Sequence, residues 1–483
     1  MARKPNLLVI LSDQHQHNAM SCAGHPVAQT PHLDALAASG TRFTNAYTPS
    51  PICVPARAAF ASGKYVHQNR LWDNAMPYEG NPKGWGHALQ AQGTPVHSIG
   101  KLHYRNAEDD VGFDQQHIPM QVYEGIGMVW ASIRKEDERV SFKHTRMMGD
   151  YVGPGESSYT KYDAAVTERT NAWLRAAAQS EDDRPWCLYV GLVAPHHPLV
   201  APQEFFDKYP LNNLPPTKLH PRDGYQQHPW VQKVDAAMVG EDGWKDEQER
   251  LTAIAAYLGL VSWMDHNLGE IVTTLRETGL LEDTTIIYSS DHGENLGNRG
   301  LWGKMNMYQE SAAIPLIVSP AKSAGLSLPK TCETAVSLLD VSETILDHFG
   351  ADLPGTRPGK SLYQIAAAPN DDTRAVLSEY HAVGAVTGAF MLRKGPWKYI
   401  HYVDYAPELF NLTDDPEELE NLAADPVHAE TLSALHAALC EICDPETVND
   451  QAFADQAALI EEHGGYDVAI TLGAPSATPP PQT

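Results

Sequence analysis

The segment Cys53-Val54-Pro55-Ala56-Arg57 places a thiol and a guanidinium four residues apart. We predict that Pro55 holds this segment in a short turn, and that residues 58–62 form a helix ended by Gly63. The Cys53 side chain then lies at a helix N-terminus, where free backbone N–H groups favour anions. A cysteine taken alone is commonly a small buried apolar residue. Beside an arginine at a helix start, it predicts chemistry on an anionic substrate.

Other side chains capable of chemistry come directly after apolar segments that we predict to be strands. They are Asp13 and Gln14, Lys101 and His103, His196, and Asp291 and His292. Ligands of open α/β sheets bind beyond the carboxyl ends of the strands. Four separate strand ends therefore predict one shared site.

Asp13, Gln14, Asp291 and His292 offer carboxylate, amide and imidazole ligands. Such an oxygen-rich set suits a hard divalent cation. An Asp-Gln pair after a strand is by itself also common as a turn or a helix cap. The metal-site hypothesis therefore depends on the two strand ends meeting in the fold.

The predicted secondary structure alternates between strands and helices. The strands are residues 6–12, 41–47, 94–99, 186–193, 284–290 and 315–319. The helices are residues 31–39, 86–92, 161–178 and 246–278. Continuous apolar runs such as residues 6–12 are typical of strands buried on both faces. The alternation predicts an α/β fold with a large, mostly parallel sheet flanked by helices.

The pattern changes near residue 370. Further short strands are predicted at residues 375–380, 389–393 and 397–402, followed by a helix start at 415–423 and a helix at 427–443. We predict a catalytic α/β domain at residues 1–370, a smaller α+β domain with an antiparallel sheet at 371–473, and a disordered Pro-rich tail at 474–483.

The composition limits the partners of the chain. The formal net charge is −26, from 35 Lys and Arg against 61 Asp and Glu. An acidic surface argues against nucleic acid and anionic membranes, and it requires a local basic cluster to hold any sulfate or phosphate. Six cysteines are too few for a disulfide framework in 483 residues. The apolar segment at residues 7–11 is too short for a signal peptide or a membrane span, so we expect a cytoplasmic protein.

The segment that begins at Cys53 resembles the sulfatase signature, cysteine-x-proline-x-arginine. Further segments resemble motifs of that family and occur in its order: Gly100-Lys101-Leu102-His103, Pro195-His196-His197-Pro198, Asp291-His292-Gly293 and Leu301-Trp302-Gly303-Lys304. The resemblance covers nearly the whole chain, apart from residues 105–245. It implies a type I, formylglycine-dependent sulfatase with the alkaline phosphatase-like fold.

The resemblance implies that Cys53 is oxidised to Cα-formylglycine, an aldehyde whose hydrate is the nucleophile. It also implies one divalent metal ion, Ca²⁺ or alternatively Mn²⁺, held by Asp13, Gln14, Asp291, His292 and an oxygen of the modified Cys53. The family commonly has two aspartates where this chain has Asp13 and Gln14. The amide lowers the negative charge of the site, which weakens the preference for Ca²⁺ over Mn²⁺.

The remaining catalytic roles also follow from the resemblance. Arg57 and the metal would stabilise the deprotonated hydrate, and Lys101 and Lys304 would neutralise sulfate oxygens. His103 would take a proton from the sulfated hydrate, so that it collapses to the aldehyde and releases sulfate. His196 or Lys304 would assist departure of the alcohol.

These features predict a sulfatase that hydrolyses a small-molecule sulfate ester and is matured by a formylglycine-generating enzyme. The alcohol half of the ester (aryl, choline-like or sugar) and a homo-oligomeric state are left open. The alternative is a phosphonate monoester hydrolase or phosphodiesterase of the same superfamily, although Lys101 and His103 favour sulfate. A cysteine phosphatase of the tyrosine-phosphatase type does not fit, because it needs cysteine and arginine six residues apart. A non-catalytic, metal-stabilised binding protein is the alternative from a different class.

Overall fold

The computed structural model describes residues 4–140, 148–237, 240–473 and 478–481. Its strands are β1 (Asn6–Asp13), β2 (Thr41–Phe43), β3 (Ala46–Tyr47), β4 (Val96–Lys101), β5 (Gln115–Met120), β6 (Gly153–Pro154), β7 (Cys187–Pro195), β8 (Val200–Ala201), β9 (Thr284–Ser290), β10 (Leu316–Ser319), β11 (Thr331–Cys332), β12 (Val336–Ser337), β13 (Ala375–Tyr380), β14 (Ala389–Lys394), β15 (Trp397–Tyr402) and β16 (Glu408–Asn411). Its α-helices are α1 (Pro31–Ser39), α2 (Cys53–Ser62), α3 (Val66–Asn69), α4 (Trp85–Ala91), α5 (Ser158–Ala178), α6 (Gln203–Phe206), α7 (Pro229–Ala237), α8 (Glu247–Glu277), α9 (Gln309–Ala312), α10 (Leu338–Phe349), α11 (Leu362–Ala367), α12 (Ala429–Ile442), α13 (Pro445–Glu462) and α14 (Tyr466–Ala469). None of these helices combines the length and the apolar character needed to cross a membrane.

An eight-stranded mixed sheet organises the larger part of the chain, in the order β11-β2-β10-β9-β1-β7-β4-β5. The strands from β9 to β5 are parallel to their neighbours, whereas β10 runs antiparallel between β9 and β2. This sheet confirms the predicted α/β class. The one strand predicted at residues 41–47 is wrong in detail, because two short strands, β2 and β3, form there and pair with different partners.

Strand β1 lies at the centre of the sheet and is buried along its whole length. Its alternate side chains point to opposite faces, as the period of two in a strand requires. Leu7 and Val9 pack in a cluster with side chains of α2, α4 and α10, whereas Leu8 and Ile10 pack with side chains of α1, α5 and α8. Burial on both faces explains why this strand has a continuous apolar run instead of an alternating one.

The carboxyl ends of β4, β7, β1 and β9 meet at one edge of the sheet, because these four strands are adjacent and parallel. In the pairing of the strands, Asp13 lies opposite Pro195, and Ser12 lies opposite Ser290. The predicted convergence of the four strand ends is therefore present in the structure.

A separate four-stranded antiparallel sheet, β13-β14-β15-β16, follows in the C-terminal part. The predicted antiparallel sheet is confirmed, whereas the exact boundary at residue 370 stays a prediction. The helix start predicted at residues 415–423 is wrong. The Asp415 side chain accepts hydrogen bonds there from the N–H groups of Leu419 and Glu420. Such side-chain bonds stabilise a turn in competition with the helix.

Candidate active site

Helix α2 begins at Cys53, and all of its residues are buried. The predicted turn at Cys53–Arg57 is therefore wrong, because these residues form the first turns of the helix itself. Pro55 is tolerated at this position because the first N–H groups of a helix have no intrahelical partner. The residue before the helix supplies no side-chain cap, and Asn74 Oδ1 accepts a hydrogen bond from the N–H of Val54 at 3.2 Å instead. The prediction that Cys53 lies at a helix N-terminus is confirmed.

Irregular strand ends direct two further side chains toward this helix. The register of β1 against β7 shifts just before Asp13, and that of β4 against β5 shifts just before Lys101. Shifts of this kind turn side chains out of the regular alternation of a strand. Gly100 has a φ of +94°, and a Cβ atom there would lie 2.2 Å from Gly191 O, so only glycine fits this position.

The Cys53 side chain lies among groups from three of the strand ends and one loop. Its Sγ is 3.7 Å from Asp13 Oδ1 and 3.2 Å from His292 Nε2. Lys304 Nζ donates to the same sulfur at 3.2 Å. Lys101 Nζ lies 2.7 Å from Asp13 Oδ2. Lys304 therefore contacts the predicted nucleophile directly, whereas Lys101 contacts Asp13, which in turn contacts Cys53.

Arg57 holds the two carboxylates together. Its Nε donates to Asp291 Oδ2 at 2.7 Å, and one terminal nitrogen donates to Asp13 Oδ2 at 3.2 Å. The other terminal nitrogen donates to Lys101 O and to Tyr189 Oη. Within the described residues these bonds point Arg57 toward the carboxylates, which favours a positioning role over direct contact with the nucleophile.

A candidate metal centre lies where these groups meet. One ligand atom from each of Asp13, Cys53, Asp291 and His292 lies within 4.8 Å of the others, and all four residues are buried. The Gln14 amide oxygen accepts from Lys304 Nζ at 2.7 Å and borders the same centre. Two carboxylates, an imidazole and an amide oxygen fit a divalent cation. The cationic charge of a metal would also offset the cost of burying two carboxylates side by side.

The charges of the centre perturb its ionisable groups. Burial favours the neutral form of Asp13, but Lys101 and the other nearby cations hold the pKa of Asp13 well below its ordinary value. Burial raises the pKa of Asp291 to about 6. Burial and the neighbouring Asp13 raise the pKa of the Cys53 thiol to about 11. An unmodified Cys53 is therefore a protonated thiol at neutral pH and a poor nucleophile.

The end of β7 orients His196. The buried Asp163 carboxylate accepts hydrogen bonds from the N–H groups of Val193 and Ala194, both at 2.7 Å, which holds the strand end in place. His196 Nδ1 donates to the carbonyl of His197 at 2.6 Å, because a carbonyl can only accept. Burial, reinforced by His197, lowers the pKa of His196. The neutral ring then has an unprotonated Nε2. The next residue, His197, is also buried, and its ring stacks on that of His196 with the two ring centroids 4.0 Å apart.

The C-terminal tail reaches His103. Residues 474–477 and 482–483 of the predicted disordered tail lie outside the described residues. Thr478 is buried, its Oγ1 lies 2.9 Å from His103 Nε2, and its carbonyl accepts from Tyr159 Oη at 2.6 Å. These two hydrogen bonds hold Thr478 against His103 and Tyr159, and the disordered tail stays a prediction. The other ring nitrogen of His103 is buried without a hydrogen-bond partner in the described structure.

The structure joins most of the predicted site residues through direct contacts: Asp13, Gln14, Cys53, Arg57, Lys101, Asp291, His292 and Lys304. His103 and His196 interact with Asp13, Lys101 and Lys304 through their charges. The structure adds Asn74, Glu294 and Thr478, which the sequence analysis did not single out. Glu294 follows the Asp291-His292-Gly293 motif directly, so its position in the sequence could have marked it. Asn74 and Thr478 reach the site only through the tertiary fold and have no local sequence signal.

Comparisons with known proteins identify similar proteins over most of the chain. A family model described as "Sulfatase" matches residues 5–351, and one described as "N-sulphoglucosamine sulphohydrolase, C-terminal" matches residues 297–444. Choline-sulfatase of Rhizobium meliloti (strain 1021) is 33% identical over 424 residues, which are 86% of this chain and 81% of that protein. Arylsulfatase K of Bos taurus is 31% identical over 449 residues, 86% of this chain and 77% of that protein.

Solved structures show the same fold at lower identity. The phosphonate monoester hydrolase of Agrobacterium radiobacter has a TM-score of 0.72 at 22% identity, over 93% of this chain and 96% of that one. A protein solved in complex with its substrate D-glucosamine-2-N,6-O-disulfate has a TM-score of 0.72 at 23% identity, over 94% of this chain and 99% of that one.

Proposed function

The chain belongs to the sulfatase family of sulfuric ester hydrolases, and from this premise we propose that Cys53 is the source of its nucleophile. Oxidised to Cα-formylglycine, this residue would cleave small organic sulfate monoesters. One observation carries the proposal: the Cys53 side chain lies within one buried group with Asp13, Asp291 and His292, beside the ammonium of Lys304.

We propose that the centre binds one divalent cation, Ca²⁺ or alternatively Mn²⁺, through Asp13, Gln14, Asp291 and His292. A cation bound there would act as a Lewis acid that favours the ionised form of the nucleophile and offsets charge on sulfate. The hydrate of formylglycine would supply a hydroxyl for attack on sulfur and a second hydroxyl through which sulfate is later released. A formylglycine-generating enzyme is the partner that this modification requires.

The side chains of this protein supply the remaining chemistry. Lys304 Nζ lies between the nucleophile position and Gln14 Oε1, at 3.2 and 2.7 Å, so its charge is placed to bind a sulfate oxygen. Cys53 lies near Oδ1 of Asp13, and Lys101 Nζ lies near the other carboxylate oxygen, Oδ2. Lys101 adds a second positive charge to the site. Fixed cations in a site that excludes water stabilise developing negative charge without reorganisation.

The two histidines of the site, His196 and His103, have different proposed roles in proton transfer. His196 donates through Nδ1 to a carbonyl, and its Nε2 is unprotonated in the neutral ring, so it is placed to accept a hydrogen bond. In the proposed reaction Lys304, and not His196, would then donate the proton to the departing alcohol. Burial and the cations of the site lower the pKa of His103, which keeps this ring neutral and able to accept a proton.

The mass of the Cys53 peptide tests the proposed modification. In protein co-produced with a formylglycine-generating enzyme, we expect this peptide to be lighter than the unmodified one by about 18 Da, a covalent change that folding cannot cause. The peptide with the buried Cys187 is the control and should keep its unmodified mass. An active preparation in which the Cys53 peptide shows no mass change would contradict the proposal.

Paired substrates test the choice between sulfate and phosphonate. We expect kcat/KM for 4-nitrophenyl sulfate to exceed that for 4-nitrophenyl phenylphosphonate by at least about tenfold, or about 1.4 kcal/mol in the transition state. Choline sulfate belongs in the same series, because the chain is similar to a choline-sulfatase. A preference for the phosphonate ester would transfer the assignment to the phosphonate monoester hydrolases that share the fold.

A further inference from the structure

Glu294 is a buried carboxylate beside the candidate metal centre, and the proposed chemistry does not use it. It is 1% exposed and directly follows the Asp291-His292-Gly293 motif. One carboxylate oxygen accepts a hydrogen bond from Gln14 Nε2. The other accepts from the N–H of Leu296 at 2.8 Å and from the N–H of Gly303 at 2.6 Å.

We propose that Glu294 is a positioning residue that fixes the Gln14 amide with its oxygen toward the cation site. A side-chain amide has a donor end and an acceptor end of nearly the same shape, and its hydrogen-bond partners select the orientation. The Lys304 ammonium can only donate, so the atom of the Gln14 amide that faces it must be the oxygen. The Gln14 NH₂ group must then face Glu294, and Oε1 must face Lys304 and the metal centre.

The same carboxylate compensates for the missing charge at position 14. An aspartate is common at this position in the family, whereas Gln14 is neutral. A charged acceptor on the NH₂ group draws electron density toward Oε1 and makes the amide oxygen a stronger ligand. In this chain the carboxylate is therefore not on the proposed ligand, Gln14, but on Glu294, which accepts a hydrogen bond from that ligand.

Glu294 also connects the cation site to the loop that carries Lys304. The bond from the N–H of Gly303 fixes the residue immediately before Lys304. Asn295, the neighbour of Glu294, holds the carbonyl of Gly303 through its main-chain and side-chain N–H groups, at 2.6 and 2.8 Å. One short segment therefore sets both a metal ligand and a sulfate-binding cation.

This inference rests on the proposed function, so its test separates the two. Calorimetric titration of the chelator-stripped protein with Ca²⁺ and with Mn²⁺ measures metal affinity without any substrate. We expect Glu294→Gln to weaken metal binding by about 10- to 100-fold and to raise the metal concentration for half-maximal activity by the same factor. A wild-type protein that binds neither ion overturns the proposed metal centre and this inference together. A variant with wild-type affinity overturns the inference alone.

A control and a charge exchange exclude a merely structural effect. Asp265 is also buried and accepts two main-chain hydrogen bonds, from His32 and Leu33, so Asp265→Asn is the matched control and should leave metal affinity unchanged. The double variant Gln14→Glu/Glu294→Gln moves the carboxylate into the metal centre and should recover affinity to within about tenfold of wild type. If Glu294→Gln folds poorly, this double variant still decides: metal binding as weak as that of a Gln14→Ala variant would overturn the proposal.

Discussion

Cys53→Ala is expected to lower kcat for 4-nitrophenyl sulfate by at least about 10⁴-fold, because removal of a catalytic nucleophile reduces the rate by this order of magnitude. The substitution removes the sulfur atom, which lies among Asp13, His292 and Lys304. No other group there is expected to take its place, because His292 and the carboxylates are the proposed metal ligands and the lysine is charged. The residual rate should be that of substrate binding and charge stabilisation alone.

The same variant should keep its fold, because alanine suits the first turn of a buried helix and removes only one sulfur atom. Its circular dichroism and unfolding temperature are the measurements that show this. Cys22→Ala is the control, since Cys22 is only half-buried and lies outside the site, and it should keep the wild-type rate. A folded Cys53→Ala protein with the wild-type rate would remove Cys53 from the mechanism.

Asp13→Asn should cost both bound metal and activity. The Asp13 carboxylate lies 2.7 Å from Lys101 and 3.2 Å from Arg57, and it belongs to the group of candidate ligands. An amide keeps the shape but loses the charge, and its NH₂ end would point at a cation. We expect kcat to fall by at least about 10³-fold, since both the ligand and the charge balance are lost.

The stability of this variant should fall as well. Removing one member of a buried ion-pair network leaves the other charges uncompensated, at a cost of about 3–5 kcal/mol. Elemental analysis of bound metal, steady-state kinetics and denaturant unfolding measure the three effects. Asp265→Asn again serves as the control, because Asp265 is a buried carboxylate outside the group of candidate ligands. An Asp13→Asn protein with full metal content and the wild-type rate would exclude Asp13 as a ligand.

The local sequence pattern was sufficient to predict many of the helices and strands. The helix at Pro31–Ser39 and the strands at Thr284–Ser290 and Ala375–Tyr380 occur within the predicted bounds, because apolar periodicity and turn residues specify them. Prediction failed at two helix starts, where side-chain hydrogen bonds complete the main-chain pattern or compete with it. The start of α2 at Cys53 depends on Asn74, and the turn at Asp415 depends on which hydrogen bonds its carboxylate makes.

The sequence by itself determined which chemistry the chain can perform. Residue types after four apolar runs indicated a shared site, since parallel strands must bring their carboxyl ends to one edge. Only the tertiary structure decided how those groups are used: Arg57 bound to the carboxylates, Glu294 behind Gln14, and Thr478 against His103. The physical reason is that a hydrogen bond depends on distance and direction in space, and residues hundreds of positions apart acquire both only when the chain folds.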